Sequence, residues 1–470
     1  MTAHPEPPAG GLLIVDEFGG ISWWSSRLAP VPSVRLTLGP GVVAEIDPTE
    51  PDDLLAWAVQ PAARPDPVAD AVGDPMLSDW LASLRDLGEA VRTFDCPRLR
   101  APWARLALTT AIGRWTTRRI HKGALLLDEA VAEHALGHRT EAEHAFAYAE
   151  YALLELGERC VDGTLTSRVT AAVAQALADA EQSGLGRPVT ALRHRLAETT
   201  PVEDDDLAAM LAGWADAVAV REVPISGTGS ASPEITYGHL DLTVLAPRIL
   251  AWQSARDREL RIVHDQDADV FRLSAPLAAD VDPYCREAQQ LLAYCADNRT
   301  GAPLAVTAAQ VATGSAVADL PARGNSLRTV NFGLFDADTE LSALRCDPVG
   351  RALVEVDRNM VEAWNHHRAA LATLAALPDN PDATAAALAH IRGEELLLVA
   401  DASASTARGR LADLLDGSSG EEAETWPRNT VAARLIAIDR YRSRLPTALE
   451  PTGDAPMLVE LILPDPDEGW

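Results

Sequence analysis

The chain has 470 residues and a formal net charge of −29, from 40 basic and 69 acidic side chains, which excludes a general binder of nucleic acid or of an anionic membrane. That length suits about two to four domains, and the apolar content is enough to give each a core. No apolar run nears the roughly 18 residues that span a bilayer, and residues 1–20 lack the features of a secretory signal, so a cytoplasmic location is expected.

In chain order, residues 12–18, 21–24, 34–38 and 42–46 predict short strands, with Gly19-Gly20 and Gly39-Pro40-Gly41 as turns. They make a small β-rich unit over 1–60. Residues 52–59 are read as one helix and the Pro- and Asp-rich run 61–75 as a linker. Helices are expected to dominate 76–222. Leu77, Trp80, Leu81 and Leu84 recur at helical spacing, as do Ala142, Phe146, Ala149, Leu153 and Leu156. The acidic run Glu203 to Asp206 suits the first turn of a further helix, and 223–233 is a Gly-, Ser- and Pro-rich linker.

Residues 234–345 read differently. Leu240, Leu242 and Val244 alternate with other residues, and so do the pairs Leu260/Ile262, Phe271/Leu273, Leu292/Tyr294 and Leu304/Val306, then Val330, Phe332 and Leu334. Turn-rich pieces separate these runs, and a helical turn is expected within 283–291. Closely spaced strands favour antiparallel hairpins over parallel crossovers. The fold class expected is therefore multidomain α+β, with helical blocks flanking a central antiparallel β-sandwich around which the rest is arranged. A C-terminal helical domain follows over 346–450, with helices at 348–377, 383–415 and 429–445. In the tail, 451–470, residues 457–463 are read as a strand closing the N-terminal sheet.

Residues 124–154 resemble one tetratricopeptide unit, since Gly137, Ala142, Phe146 and Ala149 have that family's second-helix spacing and Leu126 and Ala130 fit its first helix. Glu129 and Glu133 depart from it, and no second copy follows. The resemblance implies a protein-binding scaffold, and a generic helical hairpin would carry the same residues.

Residues 96–127 have no acid and hold Arg98, Arg105, Arg114, Trp115, Arg118, Arg119 and Lys122, the only lysine in the chain. This is a candidate surface for an anion or for a partner's carboxylates. The alternative is that these arginines neutralise the protein's own acid. Glu141 to His144 forms a single E-x-x-H, where di-iron bundles need two. His367 lies alone on an apolar helical stripe and reads as a hydrogen-bonded core histidine. Asp265, Asp267 and Asp269, with Asp336 and Asp338, are acidic loop residues of the β block that faintly resemble C2-domain loops, which implies calcium. The cysteines Cys96, Cys160, Cys285, Cys295 and Cys346 form no C-x-x-C pair, which argues against a disulfide framework or zinc cage.

No nucleophile elbow, phosphate loop, zinc-protease motif or dinucleotide turn is present in the sequence. The reading is a non-catalytic adaptor or accessory subunit of a bacterial-type cytoplasmic complex, with another protein as partner and no cofactor. The alternatives are a hydrolase or metal-dependent enzyme whose site forms only in three dimensions, and a calcium-dependent C2-like module.

Overall fold

The computed structural model describes residues 10–116, 120–198, 234–247, 249–251, 258–278, 281–312, 314–377, 383–417, 428–449 and 457–462. It is mixed helix and sheet, and the sheets are antiparallel.

The chain begins with β1 (Gly11–Val15), β2 (Ile21–Ser25), β3 (Val34–Gly39), β4 (Val42–Ile46) and β5 (Leu54–Val59). Alternation drives the first four, as in β3, where Val34, Leu36 and Leu38 are buried and Arg35 and Thr37 point out. The β1–β2 turn is closed by Asp16, whose carboxylate accepts from the Phe18 and Gly20 amides, so Phe18 lies in the turn and not in a strand. Residues 52–59, expected to be helical, instead hold β5, which pairs between β2 and β4.

The supposed linker 61–75 folds as α1 (Asp66–Val72), whose Val68, Ala69, Ala71 and Val72 are buried. After α2 (Pro75–Leu87) a sixth strand, β6 (Ala90–Phe94), pairs with β1, so the N-terminal unit extends well past residue 60. The sheet order is β3-β4-β5-β2-β1-β6. Gly11 is required where β1 crosses Trp23, because a Cβ there would lie 2.4 Å from the indole. That indole donates to the Phe94 carbonyl at 2.9 Å.

Helices α3 (Ala101–Trp115), α4 (Lys122–Leu136), α5 (Arg139–Val161), α6 (Ser167–Gln182) and α7 (Arg187–Glu198) follow. Gly137, in the left-handed region at φ 77°, ends α4 and lets α5 fold back as a hairpin. Residues 199–233, including the acidic run at 203–206 and the supposed linker, lie outside the described residues.

The β block starts with β7 (Glu234–Gly238). Leu242–Val244, expected to continue a strand, is a 3-10 turn whose first amides are met by Asp241. Then come β8 (Leu260–Asp265), β9 (Val270–Pro276), the short α8 (Arg286–Gln289), β10 (Leu291–Asp297), β11 (Pro303–Ala308), β12 (Gln310–Ala312), β13 (Ser315–Pro321) and β14 (Val330–Asp336). They form a five-stranded sheet, β12-β13-β9-β8-β7, and a three-stranded one, β11-β10-β14. Phe271, Leu273 and Leu320 of the first sheet share a core with Leu291, Ala293 and Leu334 of the second.

The C-terminal part holds α9 (Pro348–Ala375), α10 (Ala383–Gly417), α11 (Arg428–Arg444) and α12 (Leu458–Leu461). Asp347 caps α9 through the Gly350 amide at 2.8 Å. One continuous set of buried side chains joins the N-terminal sheet, α3–α7 and α9–α12. Among the described residues no helix is long and apolar enough to cross a membrane.

The expected closing strand is absent, because residues 458–461 form the single helical turn of α12 instead. Its amides turn inward to the buried Asp128 carboxylate of α4, which accepts from Leu458 at 3.0 Å and Val459 at 2.8 Å. Arg105 of α3 completes the site at 2.7 Å. Burial raises the Asp128 pKa, against the lowering pull of Arg105 and the two amides. Removing this carboxylate strands a guanidinium and two amides at once. Asp128→Ala is expected to cost about 3–5 kcal/mol in urea unfolding and to speed amide exchange at Leu458 and Val459. A loss below about 1 kcal/mol would mean that the tail docks by other contacts.

Candidate functional site

The structure has a cleft of about 400 Å³ where the β block meets α9. Thr236, Tyr237 and Gly238 of β7 line one wall, Val330, Asn331 and Phe332 of β14 another, and Arg351, Val354 and Glu355 of α9 a third. Both strands end their sheets, so each pairs with one neighbour: β7 with β8, and β14 with β10. The 3-10 turn at Leu242–Val244 lies against β14. Among the described residues β7 has no second strand beside it.

The cleft lining is built from buried polar contacts. Tyr294 of β10 packs edge-on against Phe335, with ring centroids 5.8 Å apart. Gly333 leaves room for its ring, since a Cβ there would come within 2.5 Å of it. Burial, together with the neighbouring Cys346 thiol, pushes the Tyr294 pKa well up. Asn331 donates to the Cys346 carbonyl at 2.7 Å and accepts from Arg351. Burial also pushes the Cys346 thiol up, and pushes that of Cys96, elsewhere in the chain, up to about 12, which leaves both as protonated thiols at neutral pH.

Arg345 anchors the cleft to the helices. Its guanidinium donates to Asp241 at 2.5 and 2.8 Å, to Thr243 at 3.1 Å and to Asp357 of α9 at 2.5 Å. Burial alone would raise the Asp241 pKa, but Arg345 and the Thr243 bonds reverse this and hold it below the usual carboxylate range. Glu355 pairs with Arg410 at 2.6 Å. Two further arginines on the cleft, Arg258 and Arg328, have no ion-pair partner among the described residues.

Among the described residues of the basic segment 96–127, Arg98, Arg105 and Arg114 have separate partners. Arg98 pairs with Asp52 and Asp53, and Arg105 with Asp128. Arg114 lies over the Trp115 ring and donates to the Thr243 and Leu245 carbonyls. Burial lowers its pKa, with Asp336 partly offsetting the effect. Trp115 is buried in the core. Lys122 opens α4, and Arg118 and Arg119 lie outside the described residues. Arg98, Arg105 and Arg114 thus meet carboxylates and carbonyls on different elements.

Asp265, Asp267, Asp269, Asp336 and Asp338 do not converge, and among the described residues no group of three or more His, Cys, Asp or Glu side chains is placed to hold a metal ion. Asp265 and Asp336 accept from amides of their own turns, and Asp338 pairs with Arg286. The E-x-x-H region is likewise dispersed, since His134 meets Ser183 and Asp179 while His138 meets Glu133. His367 hydrogen-bonds Tyr441 at 3.3 Å, as its place on the apolar stripe predicts.

Sequence reasoning missed Asp241, Arg345 and Asp357, which are far apart in the chain and carry no motif. Compared with protein-family models, curated proteins and solved structures, the chain matches none.

Two outcomes follow from these contacts. Arg345→Met is expected to cost about 3–5 kcal/mol, because Asp241 and Asp357 lose a shared partner, and Arg345→Lys should recover only part of it for want of the fork geometry. Equal stability of all three proteins in urea would refute this. Burial, then the Arg368 charge, lowers the His367 pKa from 6.5 to about 3. A folded pKa below the unfolded one adds stability above pH 6.5 that drains away as the pH falls toward 3. His367→Gln should flatten that decline by up to about 1.4 kcal/mol per pH unit, and parallel stability curves for the two proteins would exclude the effect.

Proposed function

We propose that the chain is a non-catalytic interaction subunit, an adaptor of the cytoplasmic kind expected from its sequence, which receives an extended segment of another protein in the cleft beside β7. The observation that carries this is the edge itself. An unpaired strand edge is a template for another strand, and proteins commonly blunt such edges with lysine, proline or a bulge. Strand β7, Glu-Ile-Thr-Tyr-Gly, has no lysine, proline or bulge and no second strand beside it among the described residues, and exposes Ile235 and Tyr237 by 37% and 40%. Added strands bind through main-chain hydrogen bonds and are selected by alternate side chains. The facing wall, fixed by Asn331, Arg351 and Cys346, supports a preformed slot. We read the two sheets of 234–345, which share one core, as the β-sandwich that presents it.

The test is a photo-crosslinking residue, p-benzoylphenylalanine, in place of Tyr237, with the same residue in place of the exposed Tyr148 of α5 as control. The Tyr237 probe should label one defined segment of a partner, and the purified complex should show slowed amide exchange at 234–238. Labelling that is equal from both positions, or exchange at β7 that does not change, would refute the reading.

A further inference from the structure

We infer that the segment taken up by this cleft is acidic, a strand bearing carboxylates that lie against Arg258 and Arg328. This rests on the strand-addition reading above and names the chemistry of its partner. The other charges of the cleft are matched: Asp241 by Arg345, and Glu355 by Arg410. Arg351 is held by the neutral Asn331. Arg258 and Arg328 are exposed and, among the described residues, have no acidic partner.

The two reach the cleft from different sheets. Arg258 stands two residues before β8, the neighbour of β7, and Arg328 two residues before β14. Both line the cleft in which a strand along β7 would lie, on a molecule of net charge −29. The overall field repels long polyanions such as nucleic acid, while a short peptide with a few carboxylates has both the main-chain groups for β7 and the charges for the arginines.

The test is selection from a phage-displayed library of random dodecapeptides on the full chain and, in parallel, on the double variant Arg258→Glu/Arg328→Glu, after thermal unfolding has shown the variant to be folded. The wild type should enrich proline-poor peptides with several Asp or Glu. A synthetic peptide from that pool should slow amide exchange at 234–238, and should lose at least about tenfold in affinity on the double variant or when its carboxylates are replaced by amides. Enrichment of neutral or basic peptides that still protect 234–238 would overturn the acidic assignment and leave the strand-addition reading standing. Absence of any enriched peptide that protects 234–238 would overturn both.

Discussion

Asp357 is shared by two arginines from different parts of the chain. Arg345, at the end of the β block, reaches it at 2.5 Å, and Arg434 of α11 reaches it at 2.5 Å from the other side. At the next residue of α9, the buried Arg358 pairs with Glu259 at 2.5 Å and donates to the Leu240 carbonyl. Removing such charges from water costs several kcal/mol each, so the pairs add little net stability by themselves. Breaking any one leaves an unmatched charge, however, and that penalty restricts how the β block sits on the helices. The rest of α9 extends the same logic. Trp364 donates to the Pro48 carbonyl at 3.2 Å, Asn365 to the Trp115 carbonyl at 2.9 Å, and Arg368 holds Glu460. The N-terminal sheet, α3, α12 and the β block thus all take their position from one helix.

Buried acid is the recurring fastener. Asp128 holds the amides of α12, Asp241 holds the 3-10 turn and Arg345, and Glu460 accepts from the Met457 amide while gripping Arg368. A carboxylate satisfies free amides at the start of a helical turn and is favoured there by the dipole. Part of the large acidic excess therefore has a structural use, and the basic segment of 96–127 is its counterpart. Arg98 and Arg105 are consumed by such carboxylates.

The sequence predicted the long helices well: 348–377 carries sustained apolar periodicity, and 348–377 and 383–415 match α9 and α10 closely. Short apolar runs failed where periodicity cannot decide. Leu54–Val59 is Leu-Leu-Ala-Trp-Ala-Val, apolar throughout, and only its place between two strands makes it β5. In β13 the buried positions include Ala316 and Ala318, too small and too poor in β-propensity to announce a strand. The alternation of Leu240, Leu242 and Val244 is real, but Asp241 turns the backbone by taking the Thr243 amide. The cleft was illegible for a different reason. Asp241 and Arg345 are joined although 104 residues apart, and no local pattern connects them. The β block, around which the sequence reading arranges the rest, is fastened to α9 through Arg345 and Arg358.

This fastening bears on what the cleft can do. A reactive centre at neutral pH needs a group tuned toward proton exchange or thiolate formation. The cleft's Tyr294 and Cys346 are pushed the opposite way, and Asp241 is held ionised by Arg345. The same contacts that quiet these groups also fix the wall facing β7, through Asn331, Arg351 and the Cys346 carbonyl. A strand entering such a slot would order itself without reordering the host, which lowers the entropic cost of association. The polar contacts of the cleft and its attachment to α9 thus share one group, Arg345, which meets both Asp241 and Asp357.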